Sequence, residues 1–499
     1  MASRIGGAFA DGSNVMRSKE MNAIRCGALT CLLLVFVAPS FGCGGEPEPQ
    51  DKTPIVLVDI DSGEDTDQGI EPEEDMSSSV SDMAEDLGVT EPRCPEVDLP
   101  EQLTMIEGGR WSYEDAARAI ASIEIEGGTS WRADDRWFVR LPYGQEEASL
   151  VAALDCEAGE QQIEVAVTLE PLRWEDDISW SGAEGPSARE HTMLWFFENQ
   201  RYLYLYGGYV FTPQQFTTDT ELWRFDLETS EWEQITIEGE SPSFAGGRHV
   251  VLPDEQAVLL VGGDAPRRGE SNSADWKLTV GEDGVGRWER EEPMGGPGTA
   301  SLTGMIYDTL RQRVVLTLGL AGNRLNDRIW SRDADGSWSD ADFVGADQPA
   351  LRYGFAYAHD EDADRLVVLS GARLPNMFSQ VNAARDLWAL DLETLEWTEL
   401  TPTGDAPRGR RNGCWAHDTK HHRLLMWGGT ADARTSEQDL IIVDLDPGKE
   451  RWRSMEFPEG PRARASCSGI YDAARGQAIF GFGNDELGLY TDLQRLVLD

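Results

Sequence analysis

The stretch "YLYLYGG", Tyr202 to Gly208, alternates aromatic and aliphatic side chains like a strand and then ends on two glycines, the residues least suited to one. The pattern returns in "AVLLVGG" (Gly262, Gly263), "VVLTLGL" (Gly319), "LVVLSGA" (Gly371), "RLLMWGG" (Gly428, Gly429) and "AIFGFGN" (Gly481, Gly483). The apolar run is kept throughout, and the second glycine reads as relaxed in places. Downstream of each run lies a strand of the type "ELWRFDLETSEW" or "DLWALDLETLEW". Most of these close on a tryptophan: Trp232, Trp288, Trp338, Trp397 and Trp452 fall 56, 50, 59 and 55 residues apart. An internal period of this size is the mark of a repeat architecture.

Each unit also opens alike. Pro186 with Arg189, Pro242 with Arg248, Pro349 with Arg352, Pro407 with Arg410 and Pro461 with Arg464 precede a strand, whereas Pro297 keeps the proline and loses the arginine. A tight turn carrying aspartate follows that strand, as in "YDTLRQR" and "AHDTKHHR". One unit therefore supplies four short strands, a to d, with the glycines ending b and the tryptophan on d. A sheet this small cannot bury both faces alone, so such units stack around an axis with large side chains between them. Glycine after strand b lets a neighbouring backbone approach.

The strand with its glycines, the aromatic strand after it and the spaced tryptophan resemble the kelch repeat, and the set resembles the galactose oxidase/kelch propeller superfamily from about Leu172 to Asp499. The resemblance implies an all-β, six-bladed propeller over residues 172–499. The last unit has strands a, b and c but ends without d. "LRWEDDISWSGAEGPSAR", Leu172 to Arg189, supplies a tryptophan 58 residues before Trp232, so Trp174 is expected to lie on the missing outer strand and close the ring.

In this strand order the b-to-c loops share one rim with the d-to-a connections. The b-to-c loops are the long ones, and long loops on a rigid frame carry binding. Arg189, Arg248, Arg352, Arg410, Arg411 and Arg464 are candidates to gather at the mouth and attract a carboxylate or an acidic sugar. The other reading, and the favoured one, is that they tie neighbouring loops together. His191 and His249 recur beside the repeat arginine, His359 and His417 before the turn aspartate, and His421 and His422 in that turn, a recurrence that argues for structure. Galactose oxidase itself needs two tyrosines, two histidines and a thioether-forming cysteine around copper; spacing nominates no such set, so no cofactor, metal or catalytic residue is expected. No G-x-S-x-G, H-E-x-x-H or P-loop motif occurs.

Residues 1–43 read as an export signal. Arg17, Lys19 and Arg25 precede a short apolar run ending Ser40-Phe41-Gly42-Cys43-Gly44, which resembles a bacterial lipoprotein cleavage box with Cys43 as the lipid-bearing residue. Ser40 and Phe41 depart from that box, and a plain cleaved secretory signal is the alternative. Residues 44–93 read as an acidic disordered linker, since residues 44–100 hold 18 carboxylates against Lys52 and Arg93. Residues 94–171 hold short period-two runs separated by Gly/Asp turns, the pattern of a small β-sandwich with a loose likeness to the immunoglobulin type, and "SYEDAARAI" reads as a helical turn. Cys94 and Cys156 bracket that segment and suit a disulfide; Cys414 and Cys467 read as small buried hydrophobes.

With 43 Lys+Arg against 90 Asp+Glu, a formal charge of -47, nucleic acid is excluded as a partner. The sequence thus points to an exported, lipid-anchored propeller at the outer membrane or cell surface, with periplasmic or secreted placement as the alternative. It would bind a protein or glycan at its loop rim. A carbohydrate-active enzyme on the same ring, galactose oxidase-like or sialic-acid epimerase-like, is the runner-up.

Overall fold

The computed structural model describes residues 94–499 apart from 158, 176–177, 179–184, 198–199, 212–215, 264–272, 323, 344–346, 374–382 and 433–434. The stretch read as an export signal, Cys43 and the acidic stretch 44–93 lie outside the described residues. Among the described residues the regular structure is strand, with a 3-10 turn at Pro253–Glu255. "SYEDAARAI" holds the end of a strand and a plain turn, not helix.

Seven strands come first: β1 (Gln102–Ile106), β2 (Arg110–Glu114), β3 (Ile120–Ile125), β4 (Thr129–Ala133), β5 (Arg136–Arg140), β6 (Glu147–Cys156) and β7 (Gly159–Glu170). They form two sheets, β1-β7-β6-β3 and β2-β5-β4. Ile123, Val139, Leu150, Val165 and Val167 fill the space between. Alternation along β7, exposed then buried, is what a sheet with one wet face requires. A disulfide joins Cys94 to Cys156, with Cα atoms 4.5 Å apart. The described residues fall within one compact unit, so this sandwich is not set apart from the repeats that follow it.

The repeats fold into six small sheets among the described residues, antiparallel but for a two-residue strand, Ile237–Glu238, that joins the second in parallel. In the first, Met193–Phe196, Tyr202–Tyr206, Leu222–Asp226 and Glu231–Ile235 lie side by side in chain order as strands a to d. The next four repeat that plan, their a strands being Arg248–Leu252, Gly304–Asp308, Ala356–Asp360 and Cys414–Asp418. The sixth has Ser468–Asp472, Gln477–Gly481 and Leu493–Val497, and its outer strand is β8 (Arg173–Glu175) from far upstream, with Trp174 opposite Leu496. Strands b such as Ala257–Val261 and Arg423–Trp427 are buried along their whole length, which is why they read as unbroken apolar runs.

Two circuits of backbone hydrogen bonds join the sheets. Gly208 N–H donates to Phe244 C=O, Gly263 to Ala300, Gly319 to Arg352, Gly371 to Arg410, Gly429 to Arg464 and Gly483 to Arg189. In the inner one, two residues before each strand a, Gly246 N–H donates to His191 C=O, Leu302 to Gly246, Gly354 to Leu302, Asn412 to Gly354, Ser466 to Asn412 and His191 to Ser466. The first circuit corrects the reading of the glycines. The second of each pair, at φ between 79° and 102°, is glycine in all six units; the first, near φ 55–73°, is Leu318, Ser370 or Phe482 in three of them. The tighter left-handed angles of the first position admit a side chain at modest cost, whereas the second position favours glycine strongly.

The d-strand tryptophans pack backwards. Trp288 meets Tyr206 of the preceding sheet at 4.8 Å between ring centres, and Trp232 meets Phe482 of the sixth at 6.2 Å. Trp174 does the same on β8, standing 5.0 Å from Trp427 of the fifth sheet and 5.6 Å from Phe480.

Candidate functional site

The a strands surround a cavity of about 500 Å³. His191, Leu302, Gly354, Asn412 and Ser466 of the inner circuit line it at one level, and Trp195, His249, Tyr357, Trp415 and His417 line it from the strands. Trp195 Nε1, Asn412 Oδ1 and His417 Nε2 are buried with no hydrogen-bond partner among the described residues, so the cavity presents polar atoms to whatever enters it. Burial pushes the His191, His249 and His417 imidazoles down to about 4, helped at His191 by the charges of Arg248 and Arg411. All three are therefore neutral near pH 7.

The six candidate arginines divide. Arg189, Arg352, Arg410 and Arg464 are fully buried. Each Nε donates to the carbonyl two residues upstream, and each Nη1 to the carbonyl of the residue that follows strand b, namely Gly207, Ser370, Gly428 and Phe482. Each Nη2 meets the aspartate ahead of strand c: Asp219 at 2.9 Å, Asp386 at 3.0 Å, Asp439 at 3.0 Å and Asp492 at 2.8 Å. These four hold the b-to-c loop to the incoming chain, and their charges are spent there. They do not form a cationic mouth, because a guanidinium paired with a carboxylate and two carbonyls has little left for a ligand.

Arg248 was grouped with them by sequence, yet it stands elsewhere. In its unit Phe244 takes the place of the repeat arginine, as the hydrogen bond from Gly208 shows, and Arg248 begins strand a on the cavity wall. Its distance from Pro242, six residues against three elsewhere, was the available signal. Its Nε donates to Thr303 C=O at 2.7 Å and Nη1 to Gly247 C=O at 3.2 Å. Among the described residues no carboxylate lies within ion-pair distance, and burial pulls its pKa down. Arg411, also without a carboxylate partner among the described residues, donates Nη1 to Tyr353 Oη.

Opposite the loop rim, the turn aspartates pair with the first residue of strand b: Asp308 with Arg313 at 3.1 Å, Asp360 with Arg365 at 2.7 Å and Asp418 with Arg423 at 2.7 Å. His421 and His422 belong to this layer. His422 Nε2 lies 2.7 Å from Asp360 and Nδ1 3.2 Å from Asp446. Burial opposes its charge, but those two carboxylates lift its pKa above the ordinary histidine value. The sandwich docks here through Arg140, which donates to Asp446 and to the carbonyls of His421 and Gly108, and through Arg110, 3.0 Å from His422 Nδ1.

Cys414 and Cys467 form a disulfide between the inner edges of the fifth and sixth sheets, so they are not merely small buried hydrophobes. Neither cysteine therefore has a free thiol to offer. Among the described residues no group of three His, Cys, Asp or Glu converges to hold a metal ion. The donor set does not fit a galactose oxidase-type copper centre.

Residues 312–499 match the family model described as KLHDC2/KLHL20/DRC7 Kelch-repeats domain. Over those residues the repeats resemble the kelch type. The chain is 25% identical over 289 residues to Kelch domain-containing protein 2 of Bos taurus, covering 53% of this chain and 68% of that protein. Human Kelch domain-containing protein 2 aligns at 26% over 243 residues, 48% of this chain and 50% of that one. Kelch domain-containing protein 10 of Rattus norvegicus aligns at 26% over 216 residues, 40% of this chain and 48% of that protein. The kelch match thus spans about half the length of the last two relatives. A solved structure described as "Structure of YjhT" superposes with a TM-score of 0.42 at 13% identity, covering 66% of this chain and 97% of that one.

Proposed function

We propose that the six kelch sheets are the blades of one closed propeller, that β8 completes the sixth blade, and that the molecule is an exported, lipid-anchored module binding a protein partner on its loop rim. The two hydrogen-bond circuits and the backward packing of Trp174 support the ring. The apolar run before Cys43 and the acidic stretch after it support export and anchoring by a tether. Kelch relatives support a protein partner over other ligands.

One observation carries the binding reading: Arg248 projects a charge without a carboxylate into a polar cavity whose histidines are neutral. A carboxylate from the partner completes that charge. Arrays of envelope proteins and of acidic glycans, probed with the wild type and with Arg248→Gln, test it. Loss of one charge-assisted pair is expected to weaken the bound protein about 10–100-fold at unchanged melting temperature. The absence of any saturable protein partner, or equal affinity in a stably folded Arg248→Gln, would contradict the assignment.

A further inference from the structure

The sandwich meets the repeats around one turn. β2 and β5 bring Arg110 and Arg140 against the surroundings of His422, while Ile106 and Tyr143 pack on apolar residues of the fifth and sixth sheets. His422 stands just before strand b, a left-handed position that Gln256, Gln312, Asp364 and Gly476 hold in other units. An imidazole thus occupies this turn in the unit on which the sandwich sits.

Its two nitrogens face different company. Nε2 lies 2.7 Å from Asp360 Oδ1, which accepts its hydrogen. Nδ1 lies between opposed groups: Arg110 Nη1 at 3.0 Å, which can only donate, and Asp446 Oδ1 at 3.2 Å, which when ionised can only accept. A bare Nδ1 accepts from Arg110. A protonated Nδ1 donates to Asp446 and sets two donors against each other at Arg110. Arg140 binds the other oxygen of Asp446 through Nε at 3.0 Å and through Nη2, and that charge makes the bare nitrogen acceptable beside the carboxylate. We infer that Arg110 and a proton are alternative partners of His422 Nδ1, so that seating of the sandwich expels a proton and acidification loosens the seat.

The direction follows from which charges leave with the sandwich. Burial opposes the charge on His422, and Asp360 and Asp446 outweigh it and hold the pKa above the ordinary histidine value. With the sandwich lifted, both carboxylates remain and Arg110 is gone, so the undocked value is higher still. A group whose pKa is lower docked than undocked strengthens docking above the undocked value, and that contribution is lost as pH falls through the docked one. The other groups facing this turn hold their charge across that window. Burial would raise Asp360 and Asp446, but hydrogen bonds from His422 reverse this and keep both below the ordinary carboxylate value. Asp362 pairs with Arg110, Asp444 with Arg140, Asp418 with Arg423, and Arg365 with Asp360 and Glu450. His417 is neutral, and His421 has its nitrogens on Asp418 and Asp499 and meets Arg140 through its carbonyl. The inference uses neither Arg248 nor the identity of a loop-rim partner.

Spin labels at Glu124→Cys on β3 and Glu393→Cys on the fourth sheet, both exposed, report the seat in the full chain. The distance distribution between them is expected to be narrow at pH 9 and broader at pH 6, and to be the same at both in His422→Gln and in Arg110→Gln. Arg110 stands at the edge of the sandwich, so its variant keeps the test standing should His422→Gln fail to fold. Histidine-labelled protein followed by NMR gives a second readout: Arg110→Gln should raise the His422 pKa by about one unit, a tenfold tighter proton. The inference is overturned by a distribution that ignores pH in the parent, by a pH response that persists in either folded variant, or by a His422 pKa that stays or falls in Arg110→Gln.

Discussion

Replacing Trp174 by aspartate is expected to unfold the repeat region as a whole, not to fray one edge. The indole sits between Trp427 and Phe480, and the strand that bears it pairs with Leu493–Val497. Removing a large aromatic from such a contact costs about 3–5 kcal/mol, and an unpaired carboxylate left there adds to it. Among the described residues the sixth sheet has no other outer strand. Its loss exposes the fifth sheet's flank, and the circuits through Gly483 and Ser466 lose their support. Thermal unfolding followed by tryptophan fluorescence and by circular dichroism should shift together, with Trp174→Phe retaining most of the stability. A fluorescence change confined to one region, at an unaltered global transition, would show that the outer strand is dispensable.

Arg352→Ala should be nearly as damaging, by about 3 kcal/mol, because removing one partner strands the other charge. Burial alone would raise the Asp386 carboxyl, and the hydrogen bonds from Arg352 reverse that and hold it below its ordinary value. The contribution of a carboxylate depressed in this way is present above its unfolded pKa and is lost as pH falls through the folded one. The variant should therefore melt lower near pH 7 yet converge with the wild type in acid. An offset that stays constant from pH 7 to pH 3 would mean that packing, and not the ion pair, is what Arg352 contributes. Arg410→Ala and Arg464→Ala should behave alike, since each repeats the same three hydrogen-bonded partners.

Much of this could be read from the sequence because it is written several times. Strand b shows as an apolar run, since burial on both faces leaves no room for polar residues, and the spaced tryptophans mark strand d. Trp174 was legible as the outer strand of the last unit only because the same tryptophan precedes the same Pro-x-x-Arg in other repeats. What repeats cannot display is which member of a motif is under constraint. The glycine fixed by φ near 80–100° looks no different in sequence from the one beside it, and only the backbone angles separate Gly319 from Leu318.

Departures from the repeat were the hardest to read and bear most on function. Arg248 lies four positions beyond Phe244, which holds the place of Arg189 and its counterparts, so a pattern that expects an arginine accepts the wrong one. The disulfide between Cys414 and Cys467 joins positions one residue out of step in neighbouring units, Cys414 opening its strand a and Cys467 preceding its own, so the repeat pattern does not announce the pair. The role of His422 depends on the sandwich docking beside Asp446, and nothing in the repeat anticipates a partner from the N-terminal sheets.

The claim on which the rest depends is that the chain's upstream strand completes its last sheet. Arg173 and Val497 are opposed across the two strands, so Arg173→Cys and Val497→Cys in one chain should form a disulfide readily under mild oxidation. Mass spectrometry of the non-reduced digest is expected to find the 173–497 linkage in nearly all molecules, within single chains, at a melting temperature no lower than the reduced form. A folded protein whose two cysteines remain free, or which link only between chains, would contradict it.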